Sequence, residues 1–528
     1  MRKVVLIRPH MLIPRYSFTG LTVPPLGLAY VAAVLQQRGH HVVLIDAVGE
    51  AIEQHNPHHD AHDDFILHGL TTEQILDRIP VDVDFIGMSC MFSHEFPVYK
   101  ELLQAIKQRF PQVPLVAGGE HVTALPDETF RQCAGLDIAV MGEGEDALAD
   151  IVATDGSDDE LSRVPGLRWR DRQGTIRSSG QRARVRDIDA FPLPAWDLVP
   201  LENYWKYGMG LGVDRGRSMP MLATRGCPYQ CTFCSNPLMW TTRWIARKPD
   251  AVLQEMRGYM EKYGAVNFDF YDLTAIVKKS WIVDFCTRIV ESGVRFSYQL
   301  PSGTRSEAID RDVARLLFAS GCRNMTYAPE SGSPETLQRI KKRIKVGRML
   351  ESMRDCYKER LNIKANIIVG FPGDTYRDLW NTYLFIARMA LTGVQDVTIQ
   401  PFSAYPGTEL FDQLRRENRI AELNDEYFYG LADYSDLSKA VSWSEHLSSR
   451  TVLWYRTVGM LSFYLISYAV RPWRLVRVVS NLLRGRQESR MERALSDIFQ
   501  RRHALARDVA ASSRLAEAAN ATVRPPYI

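Results

Sequence analysis

Short apolar runs alternate with helical patterns through the first 150 residues. The runs predict five buried strands, at Val4–Ile7, Val42–Ile45, Phe85–Met88, Leu115–Ala117 and Ile138–Val140. Helical patterns lie between them, as at Leu26–Gln37, while the polar, His-rich stretch Glu53–His68 is interpreted as a surface loop. Strands that alternate with helices are typical of a parallel sheet covered on both faces. We therefore predict a doubly wound, Rossmann-like α/β domain over residues 1–152.

A second strand–helix series begins near Met219. Its predicted strands are Met221–Thr224, Val266–Tyr271, Phe296–Leu300, Asn324–Ala328, Ala365–Val369 and Asp396–Gln400. Six strands joined by helices indicate a partial (β/α)6 barrel of the TIM type over residues 218–422. Residues 153–217, between the two series, are interpreted as a linker with a small hairpin.

The pattern changes again after residue 422. Val452–Val470 is rich in aromatic and aliphatic residues, and the following stretch to Arg507 contains ten arginines. We predict a C-terminal helical region with a flexible tail over residues 423–528. Because an apolar helix beside arginines is typical of contact with an anionic membrane surface, residues 452–490 are a candidate for peripheral membrane contact. The alternative is a helical lid on the barrel with its arginines in solvent.

Composition and charge narrow the class of protein. The 528 residues are 45% hydrophobic and 24% charged, as in globular proteins. The 65 Lys+Arg against 62 Asp+Glu leave a net charge of +3, which argues against nucleic-acid binding. The first residues lack a signal-peptide core, and no apolar run is long enough for a confident membrane span. We expect a cytoplasmic protein, at most peripheral on the inner face of the membrane.

Three of the eight cysteines lie within eight residues, in Gly226-Cys227-Pro228-Tyr229-Gln230-Cys231-Thr232-Phe233-Cys234. They follow the first predicted barrel strand, at the end where barrels gather their chemistry. Three thiolates can hold three irons of a 4Fe–4S cluster and leave the fourth iron free. They cannot close a tetrahedral zinc site alone, so a zinc site completed by a distant His is the alternative.

This CxxxCxxC loop, with an aromatic residue before its last cysteine, resembles that of the radical S-adenosylmethionine (SAM) superfamily. Further matches follow later barrel strands, at Asp272, Glu330-Ser331-Gly332-Ser333 and Gly370-Phe371-Pro372-Gly373-Asp374. The resemblance implies that the free iron binds SAM and that one-electron reduction yields a 5′-deoxyadenosyl radical, in oxygen-sensitive chemistry. It implies a SAM site at Phe233, Asp272, Glu330, Ser331, Gly370, Gly373 and Gln400.

The N-terminal domain resembles the cobalamin-binding domains that precede radical SAM barrels. The matching segments are Pro24-Pro25-Leu26-Gly27, Val42–Asp46, Gly118-Gly119-Glu120-His121 and Gly142-Glu143-Gly144-Glu145. Ligands of open α/β sheets lie beyond the carboxyl ends of the strands. The cobalamin site is therefore expected at Ser89, Cys90, Gly118, Gly119, His121, Gly142, Glu143 and Gly144.

One departure from that family concerns the cobalt ligand. Many cobalamin domains supply a His to cobalt from an Asp-x-His-x-x-Gly motif. The corresponding residues here are Asp46-Ala47-Val48-Gly49. The resemblance therefore implies cobalamin held without that His.

Together the two resemblances imply a cobalamin-dependent radical SAM enzyme whose catalytic side chains stay unassigned. Methylation of an unactivated carbon is expected, in which the adenosyl radical removes hydrogen and methylcobalamin gives the methyl group. The alternatives are cyclisation or rearrangement, as in anaerobic Mg-protoporphyrin ester cyclases, and a non-catalytic cobalamin or redox sensor. Flavodoxin or ferredoxin is the expected electron donor. The apolar C-terminal region favours a lipid-like, terpenoid or tetrapyrrole substrate.

Overall fold

The structure, a computed structural model, describes residues 1–17, 22–58, 64–305 and 307–496. Its first part alternates strands and helices, as the apolar pattern predicts. The elements are β1 (Lys3–Arg8), β2 (Met11–Pro14), α1 (Leu26–Gln37), β3 (His41–Asp46), β4 (His55–Pro57), β5 (Phe65–His68), α2 (Thr72–Arg78), β6 (Phe85–Ser89), α3 (Phe96–Arg109), β7 (Leu115–Gly118), α4 (Glu120–Ala124), α5 (Pro126–Gln132), β8 (Ile138–Val140), α6 (Glu145–Ala153), α7 (Asp158–Leu161), β9 (Leu167–Arg170) and β10 (Ile176–Ser178).

Seven of these strands form one sheet in the order β10-β9-β8-β7-β6-β1-β3. Strands β3, β1, β6, β7 and β8 run parallel, so the strand order reverses between β1 and β6. The predicted doubly wound sheet is confirmed, and ligands of such sheets lie beyond the carboxyl ends of the strands at that reversal. The predicted hairpin forms as β9 and β10, but it extends this sheet in antiparallel pairing. The domain boundaries themselves remain predictions.

A smaller antiparallel sheet, β2-β5-β4, corrects the interpretation of Glu53–His68 as a surface loop. Its strands are only three or four residues long, too short to show a clear alternation of polar and apolar positions. Phe65 and His68 of β5 are buried, with 4% and 3% of their surface exposed. The histidines of this stretch that the structure describes therefore belong to a packed layer. Residues 59–63 lie outside the described residues.

The second strand–helix series follows the short helix α8 (Leu201–Lys206). It consists of β11 (Ser218–Met221), β12 (Thr224–Arg225), α9 (Asn236–Trp240), β13 (Ile245–Ala246), α10 (Pro249–Tyr263), β14 (Asn267–Phe270), α11 (Lys279–Ser292), β15 (Ser297–Thr304), α12 (Arg311–Ala319), β16 (Cys322–Glu330), α13 (Pro334–Arg339), α14 (Val346–Lys358), β17 (Asn362–Val369), α15 (Tyr376–Thr392) and β18 (Asp396–Pro401).

Six strands of this series form a sheet in the order β11-β14-β15-β16-β17-β18, in which all neighbours are parallel. This order is that of a partial barrel, as predicted. The first strand differs from the predicted Met221–Thr224. The sheet strand β11 ends at Met221, and β12 pairs instead with β13 in antiparallel fashion. The cysteine loop therefore leaves from a separate two-residue ribbon at the carboxyl end of the barrel.

Within the described residues, four complete helices follow the barrel: α16 (Glu409–Arg416), α17 (Asp425–Gly430), α18 (Ser449–Val470) and α19 (Trp473–Leu483). A further helical stretch covers residues 490–496, at the end of the described residues. The expectation that the arginines of this region lie in solvent or at a membrane is wrong for Arg471 and Arg474, whereas Arg477, Arg484 and Arg486 are exposed. Arg456, Arg471 and Arg474 are buried and donate hydrogen bonds to main-chain carbonyls of the barrel side. Among the described helices, none combines the length and apolarity needed to cross a membrane. The predicted tail after residue 496 lies outside the described residues.

Candidate functional site

The cysteine loop between β12 and α9 is shaped by one glycine and one asparagine. Gly226 has a φ of +81°, and a Cβ there would lie 2.4 Å from the carbonyl oxygen of Arg243, so a side chain has no room. Asn236 closes the loop, because its Nδ2 donates to the carbonyl of Cys227 at 3.1 Å. The loop leaves three thiols half-buried, at Cys227, Cys231 and Cys234.

The three cysteine thiols are soft metal ligands, and they bind a metal centre as negatively charged thiolates. Burial raises the pKa of each thiol, that of Cys234 to about 12. In the part of the chain that the structure describes, no group of three His, Cys, Asp or Glu side chains is arranged to hold a single metal ion. A 4Fe–4S cluster takes each thiolate on a different iron. Three thiols spread along one loop therefore fit such a cluster.

Two buried cations stand beside this loop, and the sequence analysis missed both. Arg305, just after β15, lies with its Cζ 3.6 Å from the centre of the Tyr229 ring. Its Nη1 is buried and has no hydrogen-bond partner among the residues that the structure describes. Lys342 donates to Glu330 at 2.9 Å, and both charged groups are buried. Because a buried guanidinium N–H suits an anionic group, Arg305 fits the carboxylate of SAM.

Three of the seven residues predicted for SAM converge at the carboxyl end of the barrel. The Phe233 ring lies 5.6 Å from that of Phe371, which follows Gly370. Lys342, the partner of Glu330, lies 6.0 Å from the centre of the Phe233 ring. Glu330 has a φ of +65°, which is uncommon for a residue other than glycine and is often found at functional sites. Phe233, Glu330 and Gly370 thus border the cysteine loop.

The other predicted SAM residues are engaged in local hydrogen bonds or lie further along the rim. Asp272 accepts from the Thr224 hydroxyl at 2.6 Å and from the main-chain N–H of Ala223 at 3.2 Å, and burial raises its pKa to about 6. It therefore braces the turn that leads into the cysteine loop. The Ser331 hydroxyl bonds to Thr382, the Gly373 N–H to Glu445, and Gln400 is half-buried near the end of β18. Contact of all seven predicted residues with SAM remains a prediction.

Most residues predicted for cobalamin lie together at the carboxyl ends of β6 and β7. Ser89 pairs with Gly118 across the two strands, and the Cys90 N–H donates to the Gly118 carbonyl at 2.7 Å. Gly119 has a φ of +119°, and a Cβ there would lie 2.6 Å from the Cys90 carbonyl oxygen. The turn is therefore restricted to glycine, and its backbone is open to a ligand.

His121 lies behind this turn rather than on its open side. It is fully buried, its Nδ1 lies 3.0 Å from the Ser93 hydroxyl, and its ring stacks at 4.1 Å on Phe96. Burial lowers the pKa of His121 to about 3, so the imidazole is neutral. Its contact with cobalamin remains a prediction.

The turn after β8 has an open part and an occupied part. Gly142 has a φ of +80° and nothing within 4 Å of the position of a Cβ. The Glu143 carboxylate, by contrast, pairs with Arg184 and Arg225 at 3.1 Å each. Gly144 serves as the N-cap of α6. Glu143 therefore joins the two domains, whereas Gly142 leaves space for a ligand.

The rim between these turns fits a broad flat ring. Met91 and Phe92, which directly follow Cys90, leave 39% and 47% of their surface exposed. Met91 lies against the Gly119 turn, so exposed apolar side chains stand beside a backbone that a ligand can approach closely. This combination fits the corrin of cobalamin.

The Asp46–Gly49 turn is closed by contacts within the chain. Asp46 accepts from the Tyr204 hydroxyl at 2.6 Å and from the Gly49 N–H at 3.0 Å, and it pairs with Arg8 at 3.3 Å. A Cβ on Gly49 would lie 2.4 Å from the Asp46 carboxylate. This arrangement agrees with cobalamin held without a His from this turn.

The two candidate cofactor sites contact each other directly. Ser235, next to Cys234, donates to the carboxylate of Glu120, next to Gly119. Arg225, the residue before the cysteine loop, pairs with two carboxylates of the N-terminal domain and lies 5.3–5.7 Å from three aromatic rings, those of Tyr30, Phe191 and Trp240. In the sequence, the only sign that Arg225 matters is its position beside the cysteine motif. The partners of Ser235 and Arg225 come from distant parts of the chain.

Two family models match the chain, each over one of the two sheets. The B12 binding domain model matches residues 19–152, and the Radical SAM superfamily model matches residues 221–386. The first match covers the glycine turns of the N-terminal sheet. The second match covers the cysteine loop and the barrel strands to β17.

Relatives of known description are similar over most of the chain. An uncharacterized methyltransferase of Pyrococcus horikoshii is 28% identical over 80% of this chain and 85% of its own length. Cytidylyl-2-hydroxyethylphosphonate methyltransferase of Streptomyces wedmorensis is 24% identical over 79% of this chain and 83% of its own. Anaerobic magnesium-protoporphyrin IX monomethyl ester cyclase of Cereibacter sphaeroides is 24% identical over 77% of this chain and 63% of its own.

A solved structure shares the fold. The cobalamin-dependent S-adenosylmethionine radical enzyme OxsB, with aqua-cobalamin and S-adenosylmethionine bound, superposes with a TM-score of 0.62 over 95% of this chain and 75% of its own. The two sequences are 15% identical. This likeness supports the fold, in which a doubly wound sheet is followed by a partial barrel.

Proposed function

The chain belongs to the radical SAM enzymes that carry an N-terminal cobalamin-binding domain, and on that premise we propose that it methylates an unactivated carbon of an amphiphilic small molecule. Its cofactors are a 4Fe–4S cluster, SAM and cobalamin. When bound, the cluster with SAM supplies hydrogen abstraction, and cobalamin supplies the methyl group.

One observation carries the proposal: the cysteine loop is bonded to a glycine turn of the cobalamin domain. Ser235 follows the last cysteine of the motif and donates to Glu120, which follows Gly119. Methylation of a carbon radical needs the hydrogen-abstracting group and the methyl donor to face one substrate position within a few ångströms. Contact between the two turns supports such an arrangement.

In this proposal the chain's own residues bind, orient and exclude water. Cys227, Cys231 and Cys234 hold the cluster, and Arg305 holds the carboxylate of SAM through its free Nη1. Burial raises the pKa of the Cys231 thiol, and the charge of Lys342 is the largest influence that opposes this rise. A cation beside the loop thus favours the thiolate form that the cluster requires.

The cluster assignment is tested with variants of the loop. After anaerobic reconstitution with iron, sulfide and cobalamin, the wild-type protein should convert SAM into 5′-deoxyadenosine when a strong reductant is present. Cys234→Ala should abolish this product, because its iron would lose its protein ligand, while the corrinoid absorption spectrum persists. Cys133→Ala, which removes a cysteine outside the motif, is the matched control and should retain the product. Retained cleavage in Cys234→Ala would refute the assignment.

The reaction type is tested with SAM that carries a deuterated methyl group. Methylation predicts S-adenosylhomocysteine together with 5′-deoxyadenosine, and the label in the product. Cyclisation or rearrangement, the second candidate, is favoured by similarity to the magnesium-protoporphyrin ester cyclase and predicts deoxyadenosine without label transfer. A cobalamin or redox sensor predicts no deoxyadenosine. Either of these two outcomes would overturn the methylase proposal.

The substrate is a small molecule, and an external one-electron donor completes the reaction. The relatives act on compounds as different as a nucleotide-linked phosphonate and a tetrapyrrole ester, so similarity alone does not select a substrate class. We propose a lipid-like, terpenoid or tetrapyrrole substrate and peripheral contact with a membrane through residues 452–490. Both are supported by the exposed apolar surface of α18 and α19.

A further inference from the structure

Three neighbouring helices, α15, α18 and α19, carry large apolar side chains on their outer surface. The tryptophans Trp380, Trp454 and Trp473, one from each helix, are 59%, 66% and 58% exposed. Leu384 and Leu465 are also exposed, one on each of the two longer helices. We call the exposed apolar side chains of these three helices the outer face. Contiguous exposed apolar surface of this kind marks an interaction site.

The helix α19 buries polar side chains and exposes apolar ones, the opposite of a usual amphipathic surface helix. Its buried side chains are Arg474, which donates to the carbonyl of Gly393 at 2.6 Å, and Asn481, which donates to Glu492 at 2.9 Å. Val476 and Leu483, by contrast, are 70% and 83% exposed. A helix on the surface of a globular protein normally buries its apolar stripe. The apolar side of α19 therefore points away from the protein.

Hydrogen bonds at both ends hold α15 and α18 side by side. Near their N-terminal ends the Tyr455 hydroxyl donates to the carbonyl of Leu379 at 2.9 Å. After the C-terminal end of α18, Arg471 donates to the carbonyls of Ala390 and Leu391 at 3.0 and 2.8 Å. Since α15 lies against α18, and α19 begins only three residues after α18 ends, the three helices adjoin one another in this order.

Charge selects the kind of surface that this face contacts. The three helices contain six arginines and a single carboxylate, Asp378, which is buried. The exposed arginines are Arg377, Arg388, Arg450 and Arg477, of which Arg477 pairs with Glu488 at 3.5 Å. A second copy of the chain, docked on the same face by two-fold symmetry, would set arginines against arginines. An anionic lipid surface is complementary both to the arginines and to the interfacial tryptophans.

We propose that the outer face docks on the surface of an anionic lipid bilayer, with the three tryptophans at the level of the headgroups. Docking would bring the barrel to an amphiphilic substrate dissolved in the membrane. This statement about the substrate rests on the proposed function. The proposal enlarges the surface predicted from residues 452–490 by the outer side of α15. It also assigns contact to the exposed arginines, not to Arg456, Arg471 and Arg474, which are buried.

Docking is tested by co-sedimentation of the reconstituted full-length protein with vesicles. Phosphatidylcholine vesicles and vesicles with added phosphatidylglycerol are compared at low and raised salt. Binding should require the anionic lipid and weaken with salt. The double variant Trp454→Ser, Trp473→Ser should weaken binding by at least about tenfold, since two interfacial aromatic anchors are lost. Val81→Ser, at a 94% exposed apolar position of the other domain, is the matched control and should bind as the wild type does.

Two results would overturn the proposal. One is equal sedimentation of the wild type and the double variant with anionic vesicles. The other is a dimer in light scattering that the double variant dissociates, because the face would then join two copies of the chain. The deoxyadenosine assay separates this proposal from the proposed function. The double variant should retain deoxyadenosine formation in detergent-free solution, whereas failure of the wild type to form deoxyadenosine would refute the function and leave docking intact.

Discussion

The barrel meets both of its neighbours through buried arginines, but the partners of those arginines differ. On the side of the cobalamin domain, Arg225 pairs with the carboxylates of Glu143 at 3.1 Å and Glu145 at 2.5 Å. On the side of the C-terminal helices, Arg456 donates to main-chain carbonyls, those of Ile399 at 3.0 Å and Tyr434 at 2.6 Å among them. The buried guanidinium group is thus stabilised mainly by carboxylates at the first junction and mainly by main-chain carbonyl groups at the second.

The pKa values of the two arginines show what this difference means. Burial lowers the pKa of Arg225, but Glu145 and Glu143 outweigh burial and raise it above the ordinary value. Burial lowers the pKa of Arg456 to about 10, and Asp436 and Asp433 oppose this only in part. The first junction depends on matched charges from two domains, so it is specific for the pair. The second depends on hydrogen bonds that any buried donor of the right shape can supply.

The largest expected effect comes from Arg225→Met. The substitution leaves the buried carboxylate of Glu145 without its cation and leaves Glu143 with Arg184 alone. Loss of one partner of a buried ion pair typically destabilises by about 3–5 kcal/mol. Hydrogen exchange of the main-chain amides in β12 and α6 measures this as a lower free energy of local opening. Arg225→Lys should recover part of the loss because it keeps the charge. Equal exchange in the wild type and Arg225→Met would show that the charge pair does not hold this junction.

The difference between the junctions also explains what the sequence could predict. The doubly wound sheet, the barrel and the cysteine loop were predicted because each leaves a pattern among residues that are close in the sequence, such as the three cysteines within eight residues. Arg225 sits beside that motif, yet its partners Glu143 and Glu145 lie some 80 residues away. Pairing over such a distance leaves no local pattern. Arg305 was missed for the same reason, because it stacks on Tyr229, 76 residues before it.

At the C-terminal junction local spacing was misleading. Arginines beside an apolar helix usually lie in solvent or at a membrane, so Arg474 was expected there, and nothing in the sequence singled out Arg456. In the structure they reach inward to carbonyls of the barrel. A main-chain carbonyl is present at every residue and so carries no sequence signal. The strands of the small sheet were missed because three or four residues are too few to show a period.

A smaller effect is expected from Arg456→Met. This change leaves main-chain carbonyl groups without a donor and removes the attraction of Arg456 to Asp436 and Asp433, which is weaker than burial. It also removes the cost of burying the guanidinium. We expect a loss of about 1–3 kcal/mol, below that of Arg225→Met, in the local opening free energy of α18 and β18 measured by hydrogen exchange. A loss in Arg456→Met that equals or exceeds the loss in Arg225→Met would contradict the distinction between the two junctions.

The smallest effect concerns a neutral contact at the cobalamin-domain junction, where His94 Nδ1 lies 3.0 Å from the Tyr405 hydroxyl. Burial lowers the pKa of His94 to about 4, against about 6.5 in an unfolded chain. Between these values the unfolded state binds a proton that the folded state does not. The stability that His94 contributes is therefore full above about pH 6.5 and is lost as pH falls towards 4.

The comparison with His94→Gln isolates this contribution. The nearby Glu95, whose pKa burial raises to about 7, titrates in the same range in both proteins and cancels in the difference. From about pH 7.5 to pH 5, the difference in junction opening free energy between the wild type and His94→Gln should shrink by on the order of 1 kcal/mol, because the ring is only half-buried. Arg225 stays ionised throughout this range, so its contribution should not change. A difference that stays constant with pH would mean that the His94 contact does not stabilise the junction and that the charge pairs hold it alone.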